Sequence, residues 1–422
     1  MPVVQIVKRK AKRMFPAAVE GRFFKRMGVA WKQTKTWVDR SIGYENRKVL
    51  SQNTPVVHNR IMFITFNHSY SCNPKYICEE LIKRNANVEI YWGVTNMNTR
   101  GYVPDLPNVH VVKMNSYEYF VAACSSHVII INSLLGDKFY PFPVKKEQRV
   151  FETWHGSLGI KRFDLAHYNT NLSWPEAAIR TGKLTNYCIS NSKFEEDVFR
   201  ETFWPETRIM RLGHARNDIF FDTYKEKRAQ WKKEFFEERG LNPDTKLCLY
   251  APTFRDTHNF EVYDLNCDRL VEALEERFGG EWKILLRYHD NDKKKEKTQN
   301  KLKQDCVIDV TDLPDIQELL SFVDCGITDY SSWIYDFVLS GKPGFIYARD
   351  VEIYNNERGF YFKLEESPFP VAKCNDEMMQ NVRSFDEKLY ADKVKEFLDG
   401  KGCMDDGHAS ERIVDRLMKL LG

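Results

Sequence analysis

Cys325-Gly-Ile-Thr-Asp-Tyr-Ser-Ser-Trp-Ile-Tyr-Asp-Phe337 is the stretch whose reading decides the fold. With Phe322 and Val323 ahead of it, the apolar run through Cys325 and Ile327 reads as a buried strand. The run stops at Thr328, Asp329, Tyr330, Ser331 and Ser332, and Trp333, Ile334, Phe337 and Val338 then recur at helical spacing. Hydroxyls and unpaired backbone N–H groups therefore gather where a strand hands over to a helix, the place that best holds an anion. In an open α/β sheet this is also the edge at which ligands sit. The segment predicts an α/β fold with a phosphate-bearing ligand.

The same alternation extends in both directions. Strands are expected at Ile61–Phe66, Val88–Trp92, Val109–Val112, His127–Ile131, Arg149–Glu152, Tyr187–Ser190 and Arg208–Leu212, with helices at Lys75–Arg84, opened by Asn73-Pro74, and at Tyr117–Cys124. After Gly240-Leu-Asn-Pro243 a second series begins, with strands at Leu247–Tyr250, Trp282–Arg287, Val307–Asp309, Cys325–Ile327 and Phe345–Ile346 and helices at Leu270–Phe278 and Ile316–Leu320. Ile413, Val414, Leu417 and Leu420 mark a closing amphipathic helix over Ala409–Leu421, which is free to pack back on the first domain. Repeated βαβ units mean mainly parallel sheets with right-handed crossovers. The chain is thus divided into an extension over 1–45, a first Rossmann-like domain over 46–240 and a second over 241–422. Two such domains imply a cleft between them.

At 422 residues the chain suits two domains, and its 42% hydrophobic content is that of a globular protein. Ten cysteines are scattered without a C-x-x-C pair, so neither a zinc ribbon nor a thioredoxin-type site is supported, and they read as small core residues in a reducing compartment. No apolar stretch approaches the roughly 20 residues of a membrane span. No GxGxxG or Walker A sequence is present. The net charge of +3 hides an asymmetry: residues 1–40 hold eleven Lys/Arg against Glu20 and Asp39, a surplus of nine, so the remainder carries −6. The arm carries Lys8, Arg9, Lys12 and Arg13, and its aromatics Phe23, Phe24 and Trp31 lie among the further basic residues Arg22, Lys25, Arg26 and Lys32. It reads as an amphipathic anchor on an anionic membrane face, as a basic helix pair packed on the first domain, or as a nucleic-acid contact. The bulky aromatics favour the membrane, and no nucleic-acid partner is expected.

Four further turns put polar groups at strand ends. Thr153-Trp-His-Gly-Ser157, with Lys161 and Arg162 beyond, places His155 either for proton transfer or for a structural hydrogen bond. In Leu212-Gly-His-Ala-Arg-Asn-Asp218, Arg216 could fork onto a phosphate or pair with a neighbouring acid. Arg255, in Tyr250-Ala-Pro-Thr-Phe-Arg255, is a phosphate contact or a plain strand exit. Arg287 and His289 alternate on one face of an extended segment, either as two donors for a diphosphate or with Arg287 paired to a surface acid such as Asp290 or Asp292.

Thr153-Trp-His-Gly, Gly213-x-x-Arg-Asn-Asp218, Tyr250-Ala-Pro-Thr-x-Arg255, Arg287-x-His289, Ile327-Thr-Asp-Tyr-Ser-Ser332 and Arg358-Gly-Phe360 occur in this order. Together they resemble the CDP-glycerol glycerophosphotransferase family of teichoic acid and capsule synthesis, from about Ile61 to the C-terminus. The resemblance implies a GT-B architecture, two Rossmann-like domains facing across a cleft. It implies transfer of glycerol phosphate from CDP-glycerol to a hydroxyl of a lipid-linked saccharide or poly(polyol phosphate) acceptor, releasing CMP. It also implies peripheral attachment to the cytoplasmic face of the cell membrane. By the matched motifs His155 is the general base and His289 joins the catalytic set. Arg287 and His289 with Thr328, Asp329, Ser331 and Ser332 hold the donor, and Arg255 and Arg216 add contacts. CDP-glycerol is the donor substrate. No cofactor and no metal are implied, since Arg, His and helix dipoles can replace Mg²⁺.

Where the family has Thr-Pro-Leu-Lys after Trp-His-Gly, this chain has Ser157-Leu-Gly-Ile-Lys161, and Asp290 stands where Arg-x-His-Pro has proline. These departures bear on the acceptor and the donor polyol. The rival readings are a CDP-ribitol transferase, a nucleotide-sugar glycosyltransferase on the same fold, and a non-catalytic scaffold for anionic lipid or polymer.

Overall fold

The computed structural model describes residues 43, 45–66, 69–133, 143–159, 161–162, 173–202, 204–253, 255, 262–288 and 304–421. The basic arm, with Lys8, Arg9, Lys12, Arg13, Phe23, Phe24 and Trp31, and also His289, lie outside the described residues.

The first series runs β1 (Val57–Ile64), α1 (Cys72–Lys83), β2 (Glu89–Val94), β3 (Val109–Lys113), α2 (Tyr117–Ser125), β4 (Ser126–Ile131), β5 (Arg149–Glu152), α3 (Ser173–Leu184), β6 (Tyr187–Ser190), α4 (Lys193–Glu201), β7 (Arg208–Arg211) and α5 (Lys225–Arg239). The strands form one parallel sheet in the order β3-β2-β1-β4-β5-β6-β7. Ile61, Met62, Phe63 and Ile64 of β1 and Val128–Ile131 of β4 are buried on both faces, as expected where helices cover a parallel sheet on each side. Ser116 caps α2 by accepting from the Tyr119 N–H, and Ser192 caps α4 by accepting from that of Glu195.

Gly240, at φ +60, closes α5 and frees the chain to start again. The second series runs β8 (Lys246–Tyr250), α6 (Cys267–Phe278), β9 (Trp282–Leu286), β10 (Val307–Asp309), α7 (Ile316–Phe322), β11 (Cys325–Thr328), α8 (Trp333–Phe337), β12 (Gly344–Tyr347), α9 (Val351–Arg358), β13 (Val371–Ala372), α10 (Asn375–Arg383), α11 (Glu387–Lys401) and α12 (Ala409–Leu421). Its sheet, also parallel, is ordered β10-β9-β8-β11-β12-β13. Strand order reverses between β1 and β4 in one sheet and between β8 and β11 in the other, so each sheet opens a crevice beyond its strand C-termini. This is the GT-B arrangement.

The opening stretch departs from its sequence reading in two ways. Phe322 ends α7 and Val323 caps it, so the strand is only Cys325–Thr328. A turn at Asp324 separates helix from strand, and its carboxylate accepts the Leu247 N–H of β8 at 3.0 Å. The helix that follows is also short. α8 has five residues and gives way to a 3₁₀ turn over Val338–Ser340, and Ser332 at its start has helical dihedrals and no side-chain cap. So short a helix offers few aligned peptide dipoles.

Ion pairs at the domain junction join the two domains. The Lys75 ammonium on α1 lies 3.0 Å from Asp315 and 2.5 Å from Glu318 across the junction. Burial alone would lower the Lys75 pKa, but the two carboxylates more than offset it and hold the group protonated. Asp315 also caps α7 by accepting from the Gln317 N–H. α12 lies against α1, where Arg84 pairs with Asp415 and donates to the Glu411 carbonyl. Asp218 anchors its start by accepting from the Ala409 and Ser410 N–H groups.

Candidate active site

A cavity of about 510 Å³ occupies the cleft. Phe66, Asn132, His155 and Lys161 line it from the first domain, and Thr253, Arg287, Tyr330, Ser331 and Ser332 from the second. All stand beyond strand C-termini, at the crevices that the two strand orders create.

His155 follows β5 on a strained turn. Trp154 has φ +53, a left-handed conformation that costs a bulky L-residue about 1–3 kcal/mol. Its backbone is held at both ends: the N–H donates to Glu152 Oε1 at 2.7 Å, and the carbonyl accepts from Asn73 Nδ2 at 3.3 Å. Asn73 Nδ2 also donates to the Thr153 carbonyl at 2.8 Å. Glu152 is fully buried, and burial pushes its carboxyl well above the usual range.

The turn delivers the imidazole against two aromatic rings. Phe66 stacks on it at 4.7 Å with 7° between the planes, and the Trp154 ring lies 4.5 Å away. Nδ1 is 2.6 Å from the Asn132 carbonyl oxygen. A carbonyl can only accept, so Nδ1 carries the proton and Nε2 is the basic nitrogen of the neutral ring. Phe66 is fixed in turn by its N–H, which donates to Asn132 Oδ1 at 2.6 Å.

The turn comes close to the opposite wall. A Cβ added at Gly159 would meet Ser332 Cβ at 3.0 Å, and one at Gly156 would lie 3.6 Å from Ser332 Oγ. Ser331 and Ser332 are half-buried on the cavity wall, and among the described residues their hydroxyls have no hydrogen-bond partner. Farther along the cleft Lys161 bridges to Phe360, and the Arg162 N–H donates to the Gly359 carbonyl at 3.0 Å, so backbone pairing joins the two walls there.

The other candidates are engaged inside the protein. Thr328 Oγ1 donates to the Ala251 carbonyl at 2.7 Å, locking β11 to the exit of β8. Asp329 Oδ1 accepts from the Thr253 and Tyr330 N–H groups, and Oδ2 pairs with Arg255 at 2.8 Å. Arg255 also forks onto Asp350 at 2.8 and 2.9 Å and packs over the rings of Tyr330 and Tyr354. Burial alone would raise the Asp350 pKa, but Arg255 outweighs it and holds the carboxyl below its usual value. One Arg charge is thus balanced by two carboxylates, which makes the cluster a support for the Tyr330–Ser332 loop. Arg287 lines the cavity and braces the loop after β10, with Nη1 donating to the Val310 and Leu313 carbonyls at 2.9 and 2.7 Å. Arg216 realises its acid-pairing alternative: Nε lies 2.9 Å from Asp336 Oδ2 and Nη2 3.2 Å from Oδ1. Among the described residues no His, Cys, Asp and Glu cluster is arranged to hold a metal ion.

Phe66, Asn73, Asn132, Glu152 and Asp336 belong to this site and were not singled out from sequence. Asn73 gave a signal read only as a helix start, and Asp336 lay inside the opening stretch itself.

The model of a family described as CDP-glycerol:poly(glycerophosphate) glycerophosphotransferase matches residues 47–419. The chain is 29% identical over 382 residues to a teichoic acid poly(glycerol phosphate) polymerase of Staphylococcus epidermidis, an alignment covering 85% of this chain and 50% of that protein. It is 28% identical over 376 residues to a teichoic acid glycerol-phosphate transferase of Staphylococcus aureus, covering 86% and 93% of the two. The chain therefore spans about half the length of the curated polymerase and nearly all of the transferase. The solved structure of the wall teichoic acid polymerase TagF, as a His-to-Asn variant soaked with CDPG, superposes with a TM-score of 0.74 at 26% identity, over 93% of this chain and 97% of that one.

Proposed function

This chain belongs to the CDP-glycerol:poly(glycerophosphate) glycerophosphotransferase family, and from that premise we propose that it transfers glycerol phosphate from CDP-glycerol to an acceptor hydroxyl with release of CMP. The observation that carries the reading is His155, basic at Nε2, lining the same cavity as the Ser331 and Ser332 hydroxyls. In this mechanism Nε2 takes the proton of the acceptor hydroxyl. The alkoxide oxygen attacks the phosphorus that bears glycerol, a new P–O bond forms, and the bond to the CMP phosphate oxygen breaks. CMP leaves with that electron pair. Such a reaction depends on positioning and charge neutralisation, and a base on the hydroxyl adds about 10²–10⁴-fold.

Ser331 and Ser332 would donate to the diphosphate, with Arg287 and His289 supplying positive charge. Thr328, Asp329 and Arg255 would act through the loop they support. No metal is assigned to the step. The acceptor is a lipid-linked saccharide or a poly(polyol phosphate) chain. The enzyme would sit on the cytoplasmic face of the cell membrane, held by its basic arm on anionic lipid. No described helix is long and apolar enough to cross a membrane.

Incubation with CDP-glycerol, CDP-ribitol and UDP-sugars, following nucleotide release, tests the reading. CMP from CDP-glycerol alone is the expected result. Preference for CDP-ribitol, or release of UDP, would replace the donor assignment, and no release from any donor would leave the scaffold.

A further inference from the structure

We propose that Arg216 and Asp336 form a strut between the two domains that sets the His155 turn against the donor side of the cleft, making them positioning residues for the transfer. The proposal rests on the cleft being the transfer site.

Arg216 belongs to the first domain and Asp336 to α8 of the second, and each is nearly fully buried. The guanidinium forks onto the carboxylate and sends Nη2 to the Gly156 carbonyl at 2.7 Å. Gly156 directly follows His155. The Arg216 N–H donates to Asn73 Oδ1 at 3.1 Å, and Asn73 Nδ2 holds the Thr153 and Trp154 carbonyls. Three carbonyls of the strained turn, two before His155 and one after it, are therefore tied directly or through one residue to Arg216. The other end of the strut is four residues beyond Ser332, whose hydroxyl faces the cavity. Gln317 Nε2 completes the junction by lying 3.3 Å from Asn217 Oδ1 and 3.4 Å from Asp336 Oδ2.

The energetics favour positioning over ligand binding. Burial alone would lower the Arg216 pKa, but Asp336 more than offsets this, and Nε and Nη2 are taken up by Asp336 and the Gly156 carbonyl. A planar fork fixes angle as well as distance, which an ammonium cannot do. In an in-line displacement a 1 Å misplacement of the base costs about 10²-fold.

Arg216→Lys keeps the charge and loses the fork. Its kcat for CMP release should fall by about 10²-fold while calorimetric affinity for CDP-glycerol holds near the wild-type value. Arg216→Met with Asp336→Leu removes both buried charges, a change that is often neutral or stabilising, so its melting temperature should hold while kcat stays low. A double variant with wild-type kcat would show that the pair only holds the fold together. Weaker donor binding with unchanged kcat in Arg216→Lys would make Arg216 a ligand contact. Both results overturn the strut. Hydrogen exchange over 153–159 needs no turnover: faster exchange in Arg216→Lys supports the proposal and unchanged exchange refutes it. Wild-type protein that releases no CMP would fault the transferase reading, and the exchange result would still decide the strut.

Discussion

His155 Nδ1 lies 2.6 Å from the carbonyl oxygen of Asn132, so a backbone group rather than a carboxylate fixes the tautomer of the imidazole. Phe66 stacks on the same ring, and the Trp154 ring lies beside it at 4.5 Å. Replacing His155 with Ala should lower CMP release by about 10²–10⁴-fold and leave donor binding intact, because the donor hydroxyls stand on the opposite wall. Titration calorimetry with CDP-glycerol beside a CMP-release assay checks both halves. Turnover near wild type in that variant removes His155 as the base.

Glu152 offers a separate handle on the turn. Its folded pKa lies above its unfolded value because burial penalises the charged form. Its contribution to stability is therefore fully present below the unfolded pKa, about 4.3, and is lost as pH rises through the folded value. Glu152→Gln keeps an acceptor for the Trp154 N–H and cannot ionise. The variant should be at least as stable as wild type at pH 8, with the difference closing toward pH 5. Urea denaturation at both pH values measures this, and an equal loss of stability at each would show that ionisation of Glu152 has no part.

The sheets were legible because parallel strands buried on both faces read as continuous apolar runs, as Ile61–Ile64 and Val128–Ile131 do. The same property misplaced Phe322 and Val323. An apolar helix end running into an apolar strand looks like one element, and only the Asp324 turn separates them. The strand ends were legible as well, since polar residues breaking an apolar run mark the binding edge of an α/β sheet. What each side chain does there was not. The Arg216–Asp336 pair spans 120 positions and two domains, and no local pattern reveals it. The left-handed Trp154 is equally hidden, because tryptophan carries no propensity for that conformation and reaches it only through Glu152 and Asn73.

The basic arm should govern attachment and not chemistry. Each Lys or Arg near an anionic membrane contributes about 1 kcal/mol, reduced by salt. Deleting residues 1–40 should release the protein from anionic vesicles in a flotation assay while turnover on a soluble acceptor analogue persists. Attachment to neutral vesicles, or binding unchanged by the deletion, would locate the membrane contact elsewhere.

Ser332 and Asp329 sit three residues apart and should fail in different ways. The Ser332 hydroxyl has no partner among the described residues, so Ser332→Ala should leave the melting temperature unchanged. A hydrogen bond to a charged diphosphate is worth about 1.5–3 kcal/mol, which corresponds to roughly 10- to 100-fold weaker CDP-glycerol binding. Asp329 is buried and accepts two backbone N–H groups besides pairing with Arg255. Removing one partner of a buried pair costs about 3–5 kcal/mol, moderated here because Asp350 still faces Arg255. Asp329→Ala should therefore lower the melting temperature first and affect the donor only through a loosened Tyr330–Ser332 loop. Thermal melts beside donor titrations separate the two. An Asp329→Ala protein with wild-type stability and lost donor affinity would move that carboxylate from the loop's support into the binding site itself.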